Sequence, residues 1–220
     1  MRSRILPFAC YMFFIAVRSL FFPDSSSDGS DVSLWLYPIQ VSFVAALLFF
    51  YRKDYIELKE KVFSNAGEGI LAVAVGSFVY FAWVRMDFSW AMQGGAGEGY
   101  NPFQAGTGVG IFFAGIRLLG ASLIVPFMEE LFWRSFIIRY IISPDFRSVP
   151  IGKFTLASFL ITIILFGVEH HLWLAGIMAG IAYNLLLYRT GRLWPCIVAH
   201  AVTNFILGIH VLTTEEWVWW

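Results

Sequence analysis

Charge is scarce in this chain: Asp, Glu, Lys and Arg make up 14% of its 220 residues, against about 25% in an ordinary soluble domain. Hydrophobic residues reach 59% where about 45–50% is usual, so the composition is that of a polytopic membrane protein. The 15 basic and 15 acidic residues cancel, which leaves no positive field for nucleic acid and excludes that partner class. Cysteine is nearly absent. Cys10 and Cys196 lie in apolar runs without CxxC or ligand spacing and read as small buried hydrophobes. The chain also lacks the HExxH of soluble metalloproteases, a GxxxxGK[ST] phosphate loop, a lipidation motif and any internal repeat. After Arg2, Arg4 and the apolar residues 5–17 no small-x-small cleavage site follows, so the N-terminal segment reads as an uncleaved first span.

Long apolar runs are what the chain does have. A spanning helix needs about 20 mostly apolar residues. By that measure the sequence predicts an all-α membrane bundle of about eight segments at residues 5–22, 32–51, 69–84, 108–125, 126–142, 154–170, 172–188 and 193–212, in one domain covering 1–220. The segments from the fifth to the seventh are short or poorly separated, which leaves tilted or re-entrant helices open. Residues 23–31 form an acidic, turn-rich connector, while 52–61 carry four basic residues. That bias places Arg2, Arg4 and the 52–61 loop in the cytoplasm and the acidic loop outside. The glycine-rich stretch 93–110 reads as a connector.

Polar residues inside the runs are the informative minority. Each charge in the hydrocarbon region costs at least about 2.5–3.5 kcal/mol on translocon scales, so the adjacent Glu129 and Glu130 need a partner, a wet cavity or a task. Glu130 and Arg134 are four apart and can pair on one helical face; Glu129 points about 100° away from Glu130. The sixth segment ends Phe166-Gly167-Val168-Glu169-His170-His171, and His200 and Asn204 are again four apart. Singly, each feature is explained by helix packing: a structural ion pair, an interfacial histidine, hydrogen bonds between helices. Together they suit hydrolysis. A desolvated carboxylate can serve as general base for water, a histidine can orient that water, and a histidine with an asparagine can hold an oxyanion. Two histidines and a carboxylate also suit a divalent metal, and the residues leave both mechanisms open.

At these residues the chain resembles the CPBP family of intramembrane proteases, which includes CAAX prenyl proteases of the Rce1 type and bacterial Abi proteins. The EExxxR motif is matched by Glu129, Glu130 and Arg134, FxxxH by Phe166 and His170, and HxxxN by His200 and Asn204. The resemblance covers residues 120–212. It implies an endopeptidase acting on a membrane-associated protein or peptide within the lipid bilayer, in the bacterial plasma membrane. In that reading Glu129 and His170 activate water, His200 and Asn204 hold the oxyanion or the water, and Glu130 and Arg134 support them. The resemblance does not imply a prenylated substrate; some members resemble the proteins that accompany exosortase sorting systems. Glu169 and His171 depart from the pattern, since they flank the expected histidine and compete for its role.

Two other function classes remain. A non-enzymatic scaffold or bacteriocin-immunity-type protein would use the same polar residues only for packing. A transporter would need paired broken helices or an inverted repeat, and neither is seen. Arg117, mid-span in the fourth segment, reads first as a structural partner of Glu130 and second as a site for a substrate carboxylate. His210 lies about 15 Å along the helix from His200 and reads as interfacial, and the Trp217, Trp219 and Trp220 cluster as a surface anchor.

Overall fold

The computed structural model describes residues 1–21, 31–94 and 99–220, and these are overwhelmingly helical. The acidic connector 23–31 and part of the glycine-rich stretch therefore lie largely outside the described residues. In chain order the helices are α1 (Arg2–Phe21), α2 (Asp31–Phe50), α3 (Ala66–Trp83), α4 (Thr107–Leu119), α5 (Val125–Glu130), α6 (Ile138–Ile142), α7 (Leu156–Glu169), α8 (Trp173–Thr190) and α9 (Trp194–Thr214). Two π-helical turns, Gly120–Ile124 and Leu131–Ile137, join α4, α5 and α6 into one helical run, Thr107–Ile142. The fourth and fifth predicted segments are thus continuous, and eight segments become seven helical stretches among the described residues. Four of these are long and apolar enough to cross a membrane: Arg2–Phe21, Ala66–Trp83, Thr107–Ile142 and Trp194–Thr214.

Pro126 accounts for the missing break. A proline inside a helix removes one hydrogen bond and crowds the carbonyl four residues back. The wider π turn ends at Ile124, just ahead of that proline, so the change of ladder is taken up without ending the helix.

The chain divides into two compact units. The first comprises Met1–Asp54, Ala96–Met128 and Asn204–Trp220. Here α1 packs on α2, with the Phe14 and Phe43 rings 5.9 Å apart and Gln40 Nε2 donating to the Tyr11 carbonyl at 2.9 Å. Val44, Val125 and Met128 form one buried cluster; Leu34, Tyr37, Val41, Tyr100 and Phe113 form another, against which Trp220 packs. Gly120 lets the first π turn approach α2: a methyl group there would collide with Tyr37 and Val41. The C-terminal tryptophans are drawn into this unit, since Trp217 also meets the Phe103 ring at 5.7 Å.

The second unit comprises Tyr55–Gly95 and Glu129–Thr203. Its centre is the antiparallel pair α7–α8. Gly167 on α7 faces Gly176 on α8, and Gly180, four residues on, lies against Ile163. Close approach through small residues is how apolar helices associate where burial from water gives no driving force. The side chain of Thr155 caps α7 by accepting the Ser158 N–H. Residues 55–61, expected only as part of the basic connector 52–61, fold back onto this unit. Glu57 is buried, accepts a hydrogen bond from Ser135 and lies 3.8 Å from Arg139, while Trp194 Nε1 donates to the Leu58 carbonyl at 3.2 Å.

Candidate active site

Glu129 and Glu130 close α5, and the second π turn begins at the next residue. Single π turns recur at functional sites because they re-aim side chains without ending the helix. Glu130 is 0% exposed, Arg134 1% and Glu129 5%, so three ionisable groups are buried within six residues of chain.

One carboxylate is engaged through its Oε1, while its buried Oε2 has no hydrogen-bond partner among the described residues. Glu130 Oε1 accepts from Arg134 Nη1 at 3.1 Å and lies 2.9 Å from His200 Nδ1. Arg134 is held on every side: Nε donates to Asn184 Oδ1 at 3.2 Å, and its guanidinium covers the Phe166 ring at 4.3 Å and the Tyr183 ring at 5.3 Å. Asn184 then donates to Thr162 Oγ1 at 3.0 Å, which links α8 to α7. Buried charges of this kind persist when paired and hydrogen-bonded, and here Arg134 meets Glu130 through Oε1.

The other carboxylate is not engaged. Glu129 Oε2 is buried without a hydrogen-bond partner among the described residues and stands 4.0 Å from His200 Nε2. The two glutamates therefore meet opposite nitrogens of one imidazole. Because a carboxylate accepts, the contact with Glu130 places a proton on His200 Nδ1, and Nε2 is turned toward Glu129. Tyr183 stacks on this ring at 5.1 Å and 23°, and its hydroxyl donates to Thr203 Oγ1 at 2.8 Å, which in turn donates to the Gly76 carbonyl at 2.8 Å.

His170 caps the C-terminal end of α7. Its Nδ1 lies 2.7 Å from the Phe166 carbonyl, and a carbonyl cannot donate, so His170 also carries its proton on Nδ1 and keeps Nε2 as acceptor. The Phe166 ring is shared: His170 lies 4.7 Å from its centroid and His200 6.4 Å. The phenylalanine of the FxxxH pattern thus supports both imidazoles and the Arg134 guanidinium.

The flanking residues that competed with His170 are occupied elsewhere. Glu169 accepts from Trp133 Nε1 at 2.9 Å. His171 is exposed, and its carbonyl accepts the Gln93 N–H at 2.8 Å. Gln93 Nε2 also donates to the carbonyls of Val168 at 2.8 Å and His170 at 3.2 Å. A residue of the glycine-rich connector therefore clamps the turn that carries His170. Gln93, Asn184 and Glu57 escaped the sequence reading; a lone amide in the apolar run of α8 was the available signal for Asn184.

Asn204 belongs to the first unit, where its Nδ2 donates to the Ala121 carbonyl at 2.9 Å. Arg117 is there too, stacked over Tyr37 at 4.2 Å and Tyr100 at 5.3 Å. An aromatic face can hold a guanidinium in place of a carboxylate. His210 pairs with Glu216 at 3.4 Å. Among the described residues no three His, Cys, Asp or Glu side chains are grouped to hold a metal ion.

Apolar helices enclosing a carboxylate, two oriented imidazoles and a paired arginine define a membrane-embedded protein with the groups of an acid–base hydrolase. Residues 111–206 match the family model described as type II CAAX prenyl endopeptidase Rce1-like. Over that stretch, less than half of its length, the chain is similar to this family, and the similarity together with the long apolar helices supports an integral membrane protein. Neither a curated protein nor a solved structure matches the chain.

Proposed function

We propose that the protein is an intramembrane endopeptidase that cleaves a peptide bond of a membrane-associated protein or peptide with a water activated by Glu129. The observation that carries this reading is the division of the glutamate pair. Each carboxylate keeps a buried Oε2 without a hydrogen-bond partner among the described residues. Glu130 Oε1 is paired with Arg134 and fixes the His200 ring, whereas Glu129 has no cation beside it among those residues and faces His200 Nε2 at 4.0 Å. That gap is too long for a direct hydrogen bond, and one water can bridge it.

In this mechanism Glu129 takes a proton from the water as its oxygen adds to the scissile carbonyl. His200 Nε2 accepts a hydrogen bond from the same water and fixes its direction. The C–N bond then breaks, and the departing amine takes the proton, with His170 Nε2 as the second group able to relay it. Arg134 holds Glu130, and Glu130 holds the His200 tautomer. Asn204, one turn after His200 on α9, takes its oxyanion role from the resemblance to HxxxN. No step is assigned to a metal.

Purified protein in detergent is expected to cleave a membrane-anchored reporter peptide. Glu129→Gln should abolish cleavage while the variant elutes and melts like the parent. A scaffold or immunity protein would instead retain full cellular function in Glu129→Gln and His200→Ala at equal abundance, and that result overturns the proteolytic reading.

A further inference from the structure

The first unit contains a pair of cations that the proposed chemistry does not use. Arg117 on α4 stacks over Tyr37 at 4.2 Å and Tyr100 at 5.3 Å, and Arg18, in the last turn of α1, covers Tyr100 at 5.7 Å. Two guanidinium groups thus share one phenol ring, and their charges act on each other. Both are half-buried. Among the described residues neither forms an ion pair with an acidic side chain, and the buried Arg117 Nε has no acceptor there.

The tyrosines do not provide the missing charge. Burial pushes the Tyr100 phenol up to about 12, so it stays neutral. Its hydroxyl donates to the Leu34 carbonyl at 3.3 Å, and that of Tyr37 to the Arg117 carbonyl at 3.4 Å. Like charges gathered in an apolar setting repel, and aromatic faces offset only part of the cost. An anion between them resolves both the repulsion and the orphaned N–H.

We propose that Arg18 and Arg117 form a binding site for the phosphate of an anionic phospholipid headgroup. Phosphate matches the planar, forked donors of guanidinium. The surroundings favour a lipid over a peptide carboxylate. Arg18 stands at the end of an apolar helix, where headgroups lie. The same elements expose Leu20, Phe21, Trp35, Ile111 and Phe112, an apolar surface along which acyl chains can run. The site is independent of the proteolytic reading.

The test uses the full chain in neutral detergent with phosphatidylglycerol, phosphatidylcholine, inorganic phosphate or a peptide with a free C-terminal carboxylate, followed by native mass spectrometry of retained adducts. The parent should retain phosphatidylglycerol over phosphatidylcholine, and millimolar inorganic phosphate should not displace it. Arg117→Gln should weaken retention roughly tenfold or more, the loss expected for one charge-assisted hydrogen bond, and Arg18→Gln should weaken it in the same direction. Arg18→Lys with Arg117→Lys should keep part of it. Should Arg117→Gln misfold, Arg18→Gln alone decides, because that side chain sits at a helix end. Equal phosphatidylglycerol retention by the parent and both Gln variants overturns the proposal. So does loss of peptide or free-phosphate binding with lipid retention intact.

Discussion

Replacing Arg134 by methionine removes the cation on which the buried network converges. The substitution deletes the 3.1 Å bond to Glu130, the 3.2 Å bond to Asn184 and the contacts with the Phe166 and Tyr183 rings. Glu130, 0% exposed, is then left with His200 as its only partner among the described residues. Breaking a buried pair from one side costs about 3–5 kcal/mol. At about 2–4 °C per kcal/mol for a chain of this size, the melting temperature in detergent should fall by roughly 6–20 °C. Tryptophan fluorescence during heating is a suitable assay, because Trp133 abuts Phe166 at 6.0 Å and reports on this region. The double variant Glu130→Gln/Arg134→Met is the sharper part. With no unpaired charge left behind, it should recover most of the loss. Should Arg134→Met melt within about 2 °C of the parent, or the double variant melt no higher than the single, the pair is not what holds this unit together.

Gln93→Ala should loosen the turn that carries His170, because three carbonyl-directed hydrogen bonds arise at Gln93; only the two from its side chain are lost. Hydrogen exchange should rise at residues 168–172 and cleavage should drop several-fold, with the melting temperature little changed; unaltered exchange there contradicts the clamp. Gly167→Leu should force α7 from α8, since even a methyl group at that position meets the Trp173 carbonyl and Ile177. Overpacking of this kind costs about 1–3 kcal/mol or more, read as a lowered melting temperature, and parental stability refutes the close contact. Prolonged treatment with EDTA or 1,10-phenanthroline should leave cleavage unchanged, as expected of a carboxylate acting alone; loss that added zinc restores would replace that mechanism with a metal-assisted one.

Local spacing made part of the site legible before any coordinates. The four-residue offset of Glu130 and Arg134 is a property of one helix, and the ion pair follows from it. The spacing also separated Glu129 from Glu130. It did not show that both would meet the same imidazole, because that depends on how α9 packs beside α5. Helix identity was legible wherever an apolar run was long, and failed at Pro126, where a π turn carries the helix past a residue that normally ends it. Glu57 and Gln93 were out of reach for a different reason. Each lies in a polar connector, and its partners are 78 and 75 residues away in sequence, so no periodicity reports the contact. The stacking of Arg117 on Tyr37 and Tyr100 was out of reach for the same reason.

The account rests most directly on the single-turnover rate of peptide cleavage by Glu129→Gln, compared with the parent under saturating enzyme. Glutamine keeps the shape of the side chain and removes its capacity to take a proton. The expected result is a rate lower by about 10²–10⁴, the range attributed to a positioned general base, with an unchanged melting temperature. A Glu129→Gln protein that folds normally and cleaves at the parental rate would contradict the assignment of Glu129 as the water-activating base.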